Sequence, residues 1–187
     1  MAIKTFTTGE VLTAADTNDY LANAGLVHLA TTTVTSGSTL SCSSCFNANF
    51  QNYRIVISNC KTTAAASSNI VLRSGSTDAI TSYYYNGTYM TYTSAVVNGI
   101  NGSNVANWDS TILTSTSMVG ATFELFNPFV AEVTSIVCMG GDPRTGGGGM
   151  RYMTGMHNSA TSYNGFTFTT GSTFTSCTAN VYGYRKP

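Results

Sequence analysis

The stretch Met118-Val-Gly-Ala-Thr-Phe-Glu-Leu-Phe126 alternates between apolar side chains and polar or small ones. Successive side chains of a β-strand point to opposite faces, so every second residue falls on the same face. One face then carries Val119, Ala121, Phe123 and Leu125. Thr122 and Glu124 fall on the opposite face. The pattern predicts an amphipathic strand.

Other short runs extend this pattern along the chain. Residues 133–139 follow the Asn127-Pro128 break as the next antiparallel strand, and Asn86-Gly87 predicts a hairpin turn. The remaining predicted strands are residues 27–35, 53–58, 69–73, 83–85, 89–93, 165–169 and 179–184. Turn residues such as Ser74-Gly75-Ser76 separate them. About eight or nine strands at this spacing predict an all-β fold, an antiparallel β-sandwich or jelly roll.

Two stretches do not fit strands and are predicted as loops. Residues 97–117 are rich in Asn, Gly and Ser and surround Trp108, and residues 140–149 contain a run of glycines. The glycine run lacks the Gly-Lys-Ser/Thr ending of a phosphate-binding loop, so we expect an exposed loop there. Asn86-Gly-Thr88 and Asn101-Gly-Ser103 fit the glycosylation sequon, but we interpret them as turns.

The first 25 residues differ from the rest, because they hold the one helix signal. A helix is predicted from Leu12 to Gly25, with Thr13 as N-cap, Asp16 three residues later and Gly25 after the last turn. A helix of about three turns is marginal alone in water, so it must pack on its own domain or dock on a partner. The predicted organisation is an N-terminal segment, residues 1–25, and a β-sandwich domain, residues 26–187.

Composition excludes several classes of function. Only 9% of the 187 residues are charged, with eight Lys and Arg against eight Asp and Glu. Such a chain has no basic field for nucleic acid and no polybasic run for a membrane surface. With 31 Thr and 21 Ser, the surface must be neutral and rich in hydroxyl groups. A surface of this kind suits a subunit that buries much of itself in an assembly.

The cysteine count and the N-terminal sequence indicate the cellular compartment in which the protein is made. Five cysteines (Cys42, Cys45, Cys60, Cys138 and Cys177) cannot all pair within one chain. Cys42-Ser-Ser-Cys45 lacks the further ligands of a zinc site, so we expect buried free thiols and no metal. The N-terminus has no apolar signal region, and no run approaches the 18 apolar residues of a membrane span. We expect a protein made in the cytosol.

Candidate catalytic residues are sparse, and we expect neither an enzyme nor a cofactor. His28 and His157 lie in strand or strand-edge contexts, and the sequence has no Gly-x-Ser-x-Gly. A glycosidase needs two carboxyl groups about 5–9 Å apart beside a cleft. The available acids are scattered and fit solvated strand and turn positions: Glu124, Glu132, Asp109 and Asp142.

An aromatic cluster is the strongest candidate for a contact site. It comprises Tyr83, Tyr84, Tyr85, Tyr89, Tyr92 and Trp108. Consecutive tyrosines in a strand point to both faces, so at least one ring of Tyr83 to Tyr85 points away from the core. Such a ring suits a subunit interface, where Tyr is enriched, or a platform that stacks on a cell-surface glycan. We favour the interface.

The N-terminal residues resemble a family. The segment Thr5-Phe-Thr-Thr-Gly-Glu-Val-Leu-Thr-Ala-Ala-Asp-Thr-Asn-Asp-Tyr-Leu21 resembles the opening of small tail-fibre, minor-tail and head-decoration proteins of tailed bacteriophages. There, a phrase of the form Phe-x-x-Gly-Glu-Val-Leu-Thr-Ala-x-Asp-x-Asn precedes a short helix and a β-rich region. The matching residues are Phe6, Gly9, Glu10, Val11, Leu12, Thr13, Ala14, Asp16, Asn18 and Leu21. The ending Asn180-Val-Tyr-Gly-Tyr-Arg185 is similar to the closing strand of such proteins.

The resemblance implies a non-enzymatic virion protein assembled in the host cytoplasm. The matching N-terminal residues other than Ala14 would dock on other tail or capsid proteins, and the β-sandwich would project outward as a homotrimer for host attachment. A capsid decoration protein that stabilises the head is the alternative. A polysaccharide-degrading appendage enzyme is a weaker one. The expected partners are further copies, other virion proteins and a host glycan, without nucleic acid or membrane insertion.

Overall fold

The computed structural model describes residues 7–11, 13, 25–109, 111–141 and 148–185. Every regular secondary-structure element within these ranges is a β-strand. Their bounds are β1 Leu26–Val34, β2 Thr39–Cys42, β3 Phe50–Thr62, β4 Ala66–Ser74, β5 Thr77–Asp78, β6 Tyr83–Thr91, β7 Ser94–Val105, β8 Leu113–Thr114, β9 Val119–Phe126, β10 Thr134–Gly141, β11 Gly149–His157, β12 Gly165–Thr170 and β13 Phe174–Arg185.

The strands form two antiparallel sheets. The larger has eight strands in the order β1-β13-β3-β9-β10-β11-β6-β7. The smaller has five, with the path β2-β12-β4-β5 and β8 beside β4. Both sheets contribute to one hydrophobic core. There the Phe123 ring of β9 meets the Phe168 ring of β12 at 6.2 Å between centroids. The predicted all-β class is confirmed, and the arrangement fits a β-sandwich.

Side-chain alternation builds the core as the sequence predicts. The four inward positions of β9 are at most 7% exposed, and Tyr53, Ile55 and Ile57 of β3 are at most 1% exposed. Each fully buried Leu, Ile or Phe side chain contributes about 1.5–3 kcal/mol. Several such strands side by side therefore fix which face of the larger sheet is inside.

The predicted hairpin turn at Asn86-Gly87 is wrong. Strand β6 runs through both residues, and the chain turns at Tyr92 and Thr93 before β7. Gly87 serves a close backbone approach instead, since a Cβ there would lie 2.4 Å from the Tyr152 carbonyl oxygen. The sequon of residues 86–88 is thus strand, and so is the sequon of residues 101–103 in β7.

The predicted loop over residues 97–117 is also wrong. It contains most of β7, all of β8, and an isolated bridge between Trp108 and Ile70. The polar composition of β7 is explained by its position at the edge of the larger sheet. A strand with little buried surface needs few apolar residues. The described residues form thirteen strands, so the count of eight or nine was low. Sequence analysis assigned no strand to β2, β5, β7, β8 or β11, and it counted β6 as two strands.

Some predictions fall outside the described residues. They include residues 14–24 of the predicted helix and residues 142–147 of the glycine run. The division at residue 25 stays a prediction. In the described part of the chain, no helix has the length and apolar character needed to cross a bilayer.

Candidate interaction face and distal tip

Two members of the aromatic cluster lie in the core. Tyr83 and Trp108 are both 0% exposed, and their rings meet edge-on at 4.8 Å between centroids. The Tyr83 hydroxyl accepts a hydrogen bond from the Leu72 amide at 2.8 Å. The predicted contact with a partner or glycan is therefore wrong for these two residues. Strand pairing turns both side chains inward, which the composition of the cluster does not reveal.

The other four tyrosines are divided among different environments. The Tyr85 ring lies over Gly102, where a Cβ would come within 2.3 Å of the ring. The Tyr89 ring lies beneath the Arg151 guanidinium, with 5.0 Å from Cζ to the ring centroid. Tyr84 is half-buried on the outer side of β6. Tyr92 lies in the β6–β7 turn and is 65% exposed, which makes it the most accessible of these rings.

The outer face of the larger sheet carries a second apolar surface that sequence analysis missed. On three neighbouring strands, β10, β11 and β6, outward positions hold Met90, Met139, Met150, Tyr152 and Met156, which we call the methionine face. Each is between 36% and 57% exposed. Register places Met139 opposite Tyr152 and Met150 opposite Met90, so these four side chains are neighbours, and Met156 lies further along β11 beyond Thr154. The sequence did contain a signal for this face: Met150, Tyr152 and Met156 are spaced by even numbers of residues, which places them on the same face of a strand.

The methionine face can bind through apolar contact. A contiguous exposed apolar surface marks an interaction site in most soluble proteins. Methionine adapts its shape to a partner, because it is unbranched and polarisable. Charged side chains near the face do not oppose such a contact. Arg54 of β3 and Glu124 of β9, the next two strands beyond β10 in the sheet, neutralise each other. Their closest N–O distance is 2.5 Å, and the Tyr184 hydroxyl donates to the same carboxylate at 2.8 Å.

The β6–β7 turn and the glycine run meet at one end of the larger sheet. The Tyr92 amide donates to the Gly148 carbonyl at 2.8 Å, and Thr91 lies opposite Gly149. We call Tyr92, Thr93, Gly148 and Gly149 the distal tip. A shallow groove of about 630 Å³ adjoins it, lined among others by Tyr92, Gly120, Gly141, Met139 and Met150. Among the described residues, no charged side chain lines this groove, and the Tyr92 ring is the exposed aromatic surface of the distal tip.

The N-terminal segment enters the domain at the opposite end. Leu26, the first residue of β1, lies opposite Tyr184, and Tyr184 lies opposite Asn52. The same row continues through Phe126, Ser135 and Met156 to Tyr84 at the far side. The distal tip lies beyond the other ends of β11 and β6. The chain therefore places its N-terminal entry and its distal tip at opposite ends of the strands.

Strand β7 leaves one edge of the larger sheet open. Its twelve residues contain no charged side chain and no proline. Val96 and Val97 are 60% and 58% exposed. An uncharged edge presents unpaired N–H and C=O groups that another strand can pair with. This edge strand pairs directly with β6, which carries Met90 of the methionine face.

Four of the predicted docking residues are described, and they frame a turn. The Glu10 amide donates to the Thr7 carbonyl at 3.0 Å, and the Thr7 amide donates to the Glu10 carboxylate at 3.1 Å. Gly9 has φ +89°, a left-handed conformation that suits glycine. Val11 is 79% exposed and Thr13 is exposed. The other predicted docking residues lie outside the described part: Phe6, Leu12, Asp16, Asn18 and Leu21.

Residues considered for chemistry have structural partners. All five cysteines are free and buried, as expected. His157 is 2% exposed and packs against the rings of Tyr83 and Tyr163. Burial lowers the pKa of His157. Within the described residues, no group of three or more His, Cys, Asp or Glu side chains could hold a metal ion.

Comparisons with known proteins assign no family to this arrangement. No family model, no curated protein and no solved structure matches the chain.

Proposed function

We propose that the chain is a structural subunit of a tailed-bacteriophage virion, a fibre or appendage protein without catalytic activity. Its first 25 residues dock on the particle, and the helix predicted from the sequence at residues 12–25 would form part of that contact. The β-sandwich projects outward and displays the distal tip to the host surface. The resemblance of residues 5–21 to phage virion proteins supports the phage assignment.

The observation that carries the proposal is the separation of the two ends. The N-terminal segment enters beside Tyr184, whereas the distal tip lies at the other end of the strands. A subunit anchored by its N-terminus would therefore point the Tyr92 turn and the glycine run away from the particle. Sequence analysis predicted the glycine run as an exposed loop and gave stacking on a cell-surface glycan as one possible role of the aromatic cluster that contains Tyr92.

Self-assembly accounts for the exposed apolar surfaces. In a homotrimer, the methionine face and the uncharged β7 edge would be buried between copies. The apolar area removed from water favours such a contact, against the entropy that the copies lose on association. A chain with 9% charged residues would otherwise carry little charge to keep it dispersed.

Host contact is tested by a binding assay with purified protein and host cells. Tyr92→Ala should weaken cell binding, since stacking of a sugar on an aromatic ring is lost. Val133→Ala is the matched control, because Val133 is also exposed, at 37%, but precedes the opposite end of β10. Equal binding of both variants would contradict a contact at the distal tip.

The virion assignment is tested on purified phage particles. Gold-labelled antibody against the β-sandwich should mark the tail, and mass spectrometry should find a copy number of an appendage. Label spread over the head, with a copy number that matches the capsid lattice, would assign the protein to capsid decoration. Absence of the protein from particles would overturn the proposal. Shortening of host polysaccharide by the protein would contradict the non-enzymatic role.

A further inference from the structure

Two of the five buried cysteines face each other on neighbouring strands of the larger sheet. Cys60 belongs to β3 and Cys177 to β13, and they lie in facing segments of these two paired antiparallel strands. Their side chains are 0% and 1% exposed. The strands β3 and β13 are also the two longest neighbours in this sheet.

A bulge in β3 brings the two thiols to the same side. Ser176 pairs with Lys61 and Thr178 pairs with Ser58, so Cys177 faces two residues, Asn59 and Cys60. Asn59 has φ +52°, and its carbonyl accepts a hydrogen bond from the Ser176 hydroxyl at 2.7 Å. An extra residue in one strand rotates the following side chain, which here turns Cys60 inward beside Cys177. Facing residues on antiparallel strands have the Cα separation of about 4.5–5.5 Å that a disulfide requires.

We propose that Cys60 and Cys177 form a disulfide that clamps β3 to β13. Each thiol loses one proton, and the pair gives two electrons to a small-molecule disulfide such as glutathione disulfide. One S–S bond forms in the protein through a mixed disulfide, one S–S bond breaks in the oxidant, and two glutathione thiols leave. This inference is independent of the proposed function.

Burial determines when the bond forms. Exchange requires the thiolate, and the neighbouring Cys60 thiol together with burial in the core raises the pKa of Cys177 above that of an exposed thiol. Folded, reduced protein therefore reacts slowly, and the bond forms while the core is still open during folding. Once formed, the same burial protects it from external reductant.

The test is refolding of the full chain with either glutathione disulfide or reduced glutathione. Oxidised protein should lose about 2 Da and two of its five reactive thiols, counted after denaturation. Peptide mapping should link Cys60 to Cys177. The oxidised form should unfold at a higher denaturant concentration, because the link closes most of the chain into a loop.

Three variants sharpen the result. Cys60→Ala and Cys177→Ala should each abolish the linked peptide. Cys138→Ala is the control and should keep it, because the Cys138 thiol pairs with the Thr111 carbonyl instead. A wild-type map without a Cys60–Cys177 peptide overturns the proposal, and so does a map in which only Cys42 and Cys45 are joined. The wild-type peptide map decides the question by itself, so the test does not depend on whether any variant folds.

Discussion

At the scale of single residues, Trp108 joins the two sheets. Its backbone exchanges two hydrogen bonds with Ile70 of the smaller sheet, at 3.1 and 3.2 Å. Its indole N–H donates to the Tyr84 carbonyl of the larger sheet at 3.3 Å. The ring is fully buried and lies against Gly155 of β11, where a Cβ would come 2.7 Å from the indole nitrogen. A buried Trp with its N–H satisfied contributes packing without an unpaired donor.

Gly155→Ala should destabilise the fold, because an added methyl group must displace Trp108 or the backbone of β6. Overpacking of a core typically costs about 1–3 kcal/mol. Denaturant unfolding monitored by the fluorescence of Trp108 measures the loss. Gly99→Ala is the control, since a Cβ there meets nothing within 4 Å. Equal stability of both variants would mean that the space around Trp108 can relax.

His157 should make stability fall in mild acid. Its folded pKa lies below the ordinary value of 6.5, because burial disfavours the charged imidazolium. Below pH 6.5 the unfolded chain therefore binds more protons than the folded chain. The free energy of unfolding that His157 contributes is fully present above pH 6.5 and decreases as the pH falls toward the folded pKa. Urea unfolding at pH 7.5 and 5.5 measures the difference.

His157→Gln should flatten this pH dependence, even if it lowers stability at both pH values. His28→Gln is the comparison variant, because His28 is exposed on the edge strand β1. A pH dependence that survives unchanged in His157→Gln would show that another group is responsible.

At the scale of elements, strands β10, β11 and β6 have two apolar faces, one that packs in the core and one that is exposed. Their inner positions, such as Met153 and Cys138, fill the core and are 0% exposed. Their outer positions hold the methionine face. Native sheets protect an outward face or an edge with charged residues, and here neither the methionine face nor β7 carries such protection.

Met150→Lys should weaken self-association. A lysine at this position, at the distal end of the methionine face, would have to bury an unpaired charge in the proposed interface, and that is costly. We expect the dissociation constant of the oligomer to rise by at least about tenfold, measured by analytical ultracentrifugation. Ile80→Lys, in the loop between β5 and β6, should leave assembly unchanged. If both variants assemble like the wild type, the face is not the interface.

At the scale of the whole molecule, the long strands of the larger sheet define an axis from the N-terminal entry to the distal tip. Because neighbouring strands run antiparallel in register, the entry of β1 and the β6–β7 turn are kept a full strand length apart. The direction would connect an anchoring role of the N-terminal segment with display at the distal tip.

Deletion of residues 1–25 should leave a folded β domain that no longer joins virions. The described core draws on residues from Val27 onward, so the deletion removes none of it. Circular dichroism should show an unchanged cooperative transition, and complementation of a phage lacking the gene should show the truncated protein missing from particles. Normal incorporation of the truncated protein would disprove N-terminal docking.

The sequence by itself determined the β class and most long strands, because alternation with a period of two is a local property. It placed Tyr53, Ile55 and Ile57 on one face, and the structure buries all three. It also indicated buried free cysteines. Glycine was the weak point: Gly87 was interpreted as a turn, since a glycine at a turn and a glycine beneath a neighbouring backbone look alike in sequence.

Only the tertiary structure decided which aromatic rings are accessible and which surfaces combine. Tyr83 and Trp108 lie inside because strands distant in sequence cover them, whereas Tyr92 is exposed at a turn. The methionine face combines residues of β6, β10 and β11, and the Cys60–Cys177 contact combines residues of β3 and β13. Such contacts depend on strand order and register across the sheet, which local alternation does not encode.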